Sequence, residues 1–221
     1  MVGRAARVRP VNYAVRHGGA PVAQLISDVG NHKSDNPRLW LLRHGETEWS
    51  REGKHTGLTD VDLTPEGERL AAEIKPRLEQ IEFDLVLTSP LLRARRTAEL
   101  AGLADAEEEP RAVEWDYGDY EGLKTDEIRR DEPNWSIWTH GAPNGESAAQ
   151  VGARADAVID RVQSSGLQNV MLVAHSHFLR LLAARWIGLK PDGGHHFVIG
   201  TGKVCTLGWD RETPAVLAWS V

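Results

Sequence analysis

A chain of 221 residues, 41% hydrophobic and 26% charged, has room for one sizeable core and the balance of a soluble globular protein. Its 26 basic and 32 acidic residues leave a formal net charge of −6 without any long basic run, which argues against nucleic acid or an anionic membrane as the main partner. The single cysteine, Cys205, excludes an intramolecular disulfide and a cysteine-built metal cage.

Residues 1–37 mix arginines with Gly18, Gly19 and Pro21 and show no sustained period, so they are expected to form a poorly ordered extension. They contain no uninterrupted apolar core of signal-peptide type, and no run in the chain approaches a membrane span; the expectation is a cytoplasmic protein. From Arg38 onward apolar runs alternate with helical patterns. "RLWLL" (Arg38–Leu42) reads as a buried strand. "LTPEGERLAAEIKPRLEQI" reads as one helix capped by Thr64, with Pro65 at its first position and a kink at Pro76. "FDLVLTS" (Phe83–Ser89) is a second strand, followed by the helix "PLLRARRTAELAGL". "TDEIRRD" is a short helix from Thr125, and "SAAQVGARADAVIDRVQSSG" a long one capped by Ser147. "NVMLVA" (Asn169–Ala174) is a third strand with "HFLRLLAARWIGL" as its helix. "GKVCTLGWD" and "AVLAWSV", split by "RETP", read as a closing hairpin. Such alternation predicts one α/β domain over residues 38–221, a three-layer α/β/α sandwich on a mainly parallel sheet.

In such sheets a site lies beyond the carboxyl ends of the strands. Three strand ends carry polar residues: Arg43-His44-Gly45, Thr88-Ser89-Pro90 with Arg93 one turn on, and His175-Ser176-His177. Brought together, they make a dense cationic pocket suited to a phosphoryl group, with guanidinium forks for its oxygens. An imidazole crowded beside the phosphorus suits a nucleophile, its tautomer fixed by an acceptor on the other nitrogen. Arg43 is then expected to hold the phosphate and His44 to take it. The departing alcohol needs a proton, and the acidic stretch "VEWDYGDYEG" offers Glu114, placed after "PRAV" as if ending an edge strand. Trp115 and Tyr117 would exclude water around it, and Asp116, Asp119 and Glu121 compete for the role.

The blocks "LLRHGETEWS", "HTGLTDVDLTPEGE", "TSPLLRARRTA", "EWDYGDYEG", "PNGES" and "VMLVAHS", in that order, resemble the histidine phosphatase superfamily, whose fold is phosphoglycerate-mutase-like. The resemblance covers everything from about Arg38 to the C-terminus. It implies a phosphorylated His44, a phosphate pocket of Arg43, Arg93 and His175, and Glu114 as the acid. It also implies substrate contacts at Ser50, Thr56, Gly57 and Ser176, with no cofactor and no metal. Ser50 stands where many members have Asn, and Ser176 where most have Gly. Within the family the chain looks most similar to the branch of sedoheptulose-bisphosphatases and broad acid phosphatases.

The expected function is hydrolysis of small phosphate monoesters, sugar phosphates or bisphosphates, through a phosphohistidine. The alternatives are mutase-type transfer and a non-catalytic module that binds phosphorylated ligands. The short Glu114–Gly145 interval argues against the first and the presence of Glu114 against the second. His177 is expected to pack or touch substrate rather than bind metal. Trp40, Trp186, Trp209 and Trp219 are expected in the core, and Trp135 and Trp138 in a roof over the pocket. A small phosphoester is the expected partner; the oligomeric state is open, a homodimer included.

Overall fold

The computed structural model describes residues 36–103 and 105–221. The N-terminal extension therefore lies outside the described residues, apart from Asn36 and Pro37. The chain runs β1 (Arg38–Arg43), α1 (Glu48–Glu52), α2 (Pro65–Glu73), α3 (Lys75–Leu78), β2 (Leu85–Thr88), α4 (Leu92–Leu100) and β3 (Glu107–Glu108). It continues through α5 (Thr125–Asp131), α6 (Ile137–His140), α7 (Ala148–Ser164), β4 (Asn169–Ala174), α8 (Ser176–Trp186), β5 (Val204–Asp210) and β6 (Thr213–Ala218).

One six-stranded sheet has the order β3-β2-β4-β1-β5-β6. Strands β3, β2, β4 and β1 are parallel, whereas β5 runs antiparallel to β1 and pairs with β6 as a hairpin. Helices flank this sheet, with α2 packed on α4 and α7 on α8, so the α/β sandwich is as expected. Both faces of the central strands are covered, which explains their continuous apolar runs. Leu39 and Leu41 of β1 join Val158, Phe178 and Leu182 of α7 and α8 in the main core cluster. Trp40 and Leu42 are equally buried and, by alternation, point to the other face.

Several boundaries differ from expectation. The helix from Thr64 is split: α2 ends at Glu73, and α3 starts afresh with Pro76 in its first turn, so the proline begins a helix instead of kinking one. The hairpin turn is tighter than "RETP". Arg211 takes a positive φ of 56°, and Pro214 already lies in β6, an edge strand where its missing N–H costs no ladder bond. Trp40 and Trp186 are core, but Trp209 and Trp219 are only partly buried, and Trp219 follows the end of β6. No described helix is long and apolar enough to cross a membrane.

Candidate active site

The register of the sheet brings the three polar strand ends side by side. Arg43 pairs with Ala174 and Thr88 with Val173, so Ser89 falls level with Arg43 and Ala174, and His44 and His175 occupy the row beyond them. His44 N–H donates to the Ala174 carbonyl and Ser89 N–H to that of Val173, extending the ladder into the site. Gly45 is required by a close approach, not by a turn. A Cβ there would lie 2.5 Å from the Gly67 carbonyl oxygen of α2. Its N–H donates to Thr97 Oγ1 of α4 at 2.9 Å, which anchors the segment after His44 to that helix.

The His44 ring is buried, with Nδ1 2.7 Å from the Gly45 carbonyl oxygen. A carbonyl only accepts, so Nδ1 carries the hydrogen and Nε2 keeps its lone pair. Burial, then the charges of Arg93 and Arg43, push the His44 pKa well below the usual value, so the imidazole is neutral at physiological pH. His44 lines a cavity of about 390 Å³ together with Arg43, Glu114, Tyr117, Trp135 and His177. Arg43 Nη1 donates to the Ile199 carbonyl at 2.7 Å, while its buried Nε–H has no partner. A buried cationic donor left open is costly unless an anion takes it.

Arg93 and His175 form the layer behind His44. The Arg93 guanidinium is fully buried and donates to the Thr56, Gly57 and Thr59 carbonyls, at 3.1, 2.8 and 3.0 Å. Its Nε donates to His175 Nδ1 at 3.1 Å, which leaves the hydrogen of that ring on Nε2, 2.7 Å from Ser89 Oγ. The His44 and His175 rings are 5.2 Å apart. Neither Arg93 nor His175 lines the cavity; both lie behind His44 inside the fold. Burial, followed by Arg93, His44 and Arg43, holds His175 neutral as well.

Glu114 follows a 3₁₀ turn (Pro110–Ala112), and the edge strand β3 ends six residues earlier than the position expected to carry it. The carboxylate accepts from three backbone N–H groups: Trp115 at 2.9 Å, His177 at 3.0 Å and Phe178 at 2.9 Å. Two of these belong to the first turn of α8, so the side chain is docked on that helix start. The competing acids are committed elsewhere. Asp116 caps Gly118 N–H, Asp119 accepts from Asn144, and Glu121 accepts from the N–H groups of Gly57 and Thr59. Only Glu114 of the four lines the cavity.

Of the remaining expected contacts, Ser50, Thr56 and Ser176 line the cavity, and Gly57 is buried and does not line it. The Ser50 hydroxyl forms a capping box with Thr47, accepting from its N–H at 2.9 Å. That box ties the hydroxyl to the start of α1. Ser147 caps α7 and does not line the cavity. Trp135 and Trp138 are at once core and cavity wall, so roof and core are not alternatives for them. His177 is joined to the Tyr117 hydroxyl at 2.6 Å, and His55 sits over Tyr117 with ring centroids 4.7 Å apart.

Sequence reasoning gives no role to Ser89, Thr97 or His55, and offers Glu121 only as a competing acid. Ser89 stood in a strand-end motif and His55 in a motif block, but their partners lie far off in sequence. Among the described residues, no group of three or more His, Cys, Asp or Glu is placed to hold a metal ion.

Comparison with known proteins gives a concordant picture. The profile of the histidine phosphatase superfamily (branch 1) matches residues 39–221. An acid phosphatase of Mycobacterium tuberculosis is 45% identical over 179 residues, 80% of this chain and 88% of that protein. Sedoheptulose 1,7-bisphosphatase of Saccharomyces cerevisiae is 40% identical over 186 residues, 69% of this chain and 68% of that protein. A solved open reading frame product of Mycobacterium tuberculosis superposes with a TM-score of 0.80 at 42% identity, covering 84% of this chain and 98% of that one. The bisphosphatase is thus less similar than the acid phosphatase, and the expected branch of sedoheptulose-bisphosphatases and broad acid phosphatases is finer than these likenesses carry.

Proposed function

The chain belongs to the histidine phosphatase superfamily (branch 1) and hydrolyses small phosphate esters; on that footing we propose that its substrates are monoesters of hydroxylated alcohols, sugar phosphates and bisphosphates first among them. The observation that carries the mechanism is the His44 ring, neutral, with Nδ1–H bound to the Gly45 carbonyl and Nε2 free to attack. In the proposed first step Nε2 bonds to phosphorus while the ester P–O bond breaks, and Glu114 gives a proton to the departing alkoxide. In the second step water attacks phospho-His44, Glu114 takes the proton back, and inorganic phosphate leaves. Arg43 offers its open Nε–H to the phosphoryl oxygens, where negative charge is spread in the transition state. Arg93 and His175 back the phosphate pocket from behind His44, and Ser50, Thr56 and Ser176 shape the rim, with buried Gly57 presenting its carbonyl to Arg93.

The cavity walls support the substrate class. Tyr117, His55 and His177 present ring faces and polar edges together, a surface suited to the alternating C–H and O–H faces of a polyol. The resemblance to a bisphosphatase points the same way. A cytoplasmic location belongs to the same proposal, consistent with a lone, buried, unpaired Cys205. Phosphate release measured across sugar phosphates, sugar bisphosphates, phosphoglycerates and nucleotides tests the class. Higher kcat/KM for the sugar esters is the expected result; a preference for nucleotides or phosphoglycerates would overturn it.

A further inference from the structure

Glu114 lies in an irregular segment, and its peptide groups have no helix or strand ladder to hold them. An acid that must protonate a leaving oxygen has to be placed within hydrogen-bond reach, and a displacement near 1 Å is costly. Something else must therefore fix the segment.

That fixture is an ion pair from α7 and the residue before its cap. Arg154 and Glu146 are paired bidentately, Nε to Oε1 at 2.8 Å and Nη2 to Oε2 at 2.7 Å, and both side chains are largely buried. The same guanidinium donates to the carbonyls of Arg111 at 2.6 Å, Val113 at 3.0 Å and Glu114 at 3.3 Å. Glu146 accepts from the Asp116 N–H through Oε2 at 3.0 Å and from the Trp115 indole through its carbonyl at 2.8 Å. The Arg154 guanidinium also lies over the Phe178 ring, 5.2 Å from its centroid, and Phe178 N–H is one of the donors to the Glu114 carboxylate. The backbone around them leaves no slack, since a Cβ on Gly145 would lie 2.3 Å from the Asp116 carbonyl oxygen.

We propose that Arg154, locked by Glu146, is a positioning residue that sets where the Glu114 carboxyl meets the leaving group. The proposal rests on the reading of Glu114 as the general acid. Only a planar fork reaches three carbonyls and a carboxylate at once; a lysine ammonium keeps the charge but not the span. Neither residue lines the cavity, so their effect on catalysis passes through Glu114.

The test is a double-mutant cycle read in the first turnover. Arg154→Lys, Glu114→Gln and the double variant are mixed with glycerol 3-phosphate and with p-nitrophenyl phosphate, and alcohol release is followed by rapid quench. Glu114→Gln is expected to slow glycerol release by about 10²–10⁴-fold. Arg154→Lys should slow it by about 10-fold or more in the wild-type background and by less than about 2-fold in the Glu114→Gln background, because one acts through the other. Nitrophenolate release, which needs no proton, should change by less than about 3-fold in Arg154→Lys. Equal factors in both backgrounds, or equal losses on both substrates, would show a general structural role and overturn the positioning. A Glu114→Gln enzyme that releases glycerol at the wild-type rate would overturn the acid itself and this proposal with it. Where Arg154→Lys fails to fold by circular dichroism, Glu146→Gln carries the same cycle, since it leaves the three carbonyl acceptors of Arg154 in place and removes the locking charge with one of its two acceptor oxygens.

Discussion

Arg93 Nε donates to His175 Nδ1 at 3.1 Å, and this contact decides the tautomer of a ring that sits 5.2 Å from the proposed nucleophile. With Nδ1 as acceptor, Nε2–H faces Ser89 and is the hydrogen the ring has to offer a phosphoryl oxygen. The same guanidinium carries the carbonyls of Thr56, Gly57 and Thr59.

Arg93→Lys should therefore cost more than a unit of charge. Loop carbonyls lose their donors, at about 1–3 kcal/mol for each group left buried and unpaired, and the His175 tautomer is released. The expected outcome is a kcat lower by about 10²–10³-fold, the scale of one lost transition-state donor. A fall in Tm should accompany it, read by calorimetry. Retention of wild-type kcat would mean that neither the fork nor the tautomer matters.

The pH profile should be set by the environment of His44. A solvent-exposed histidine nucleophile loses activity as pH falls through about 6.5. Burial and the two arginines move the His44 pKa well below that, so the lone pair on Nε2 persists in acid. Once substrate ionisation is factored out, kcat/KM should stay level through pH 6.5 and fall only well below it. A midpoint near 6.5 assigned to the free enzyme would contradict this reading.

Stability should respond oppositely over the same range. His44, His55, His175 and His177 are all held neutral by burial, with His55 lowered to about 4. Below the unfolded value of about 6.5 the unfolded chain binds protons that the native state refuses, so stability falls as pH drops. Between pH 6.5 and 4.5 these imidazoles dominate. Glu109, lowered to about 2 through its hydrogen bonds from Arg111 and Arg161 despite its burial, adds a further loss only below about 4.5. Unfolding at pH 5.5 should take up close to one proton for each of the four rings, measured from the slope of ΔG against pH. A slope near zero there would show the rings to be charged in the native state.

Chelation offers an independent check. Side chains supply positive charge at the site, Arg43 at the cavity wall and Arg93 behind His44, and prolonged EDTA treatment should leave kcat within about 2-fold of the untreated enzyme. A large loss restored by zinc or manganese would assign a metal to the reaction.

What was legible in the sequence was local. Arg43-His44 at the end of β1 could be read because a buried strand announces itself by composition, and the residue after it must emerge at the sheet edge. Thr64 and Ser147 could be read as caps because a cap acts within three residues. The docking of Glu114 on the start of α8 spans 63 and 64 residues, and the Arg93–His175 bond spans 82; no periodicity encodes either. The edge strand β3 lies earlier than expected because two acidic, exposed residues carry no strand pattern, and only their pairing to Leu87 and Thr88 makes them one. Ser50 is legible as a departure, whereas its capping box with Thr47 depends on the fold of α1.

The central claim is a covalent bond from His44 Nε2 to phosphorus. The measurement is rapid-quench trapping of protein-bound phosphate from a labelled sugar phosphate, followed by mass spectrometry of the peptide containing His44. Phosphate that is stable in base, lost in mild acid, mapped to His44 and absent from a folded His44→Ala variant is the predicted result. Turnover at the wild-type rate in His44→Ala, or label on any other residue, would contradict it.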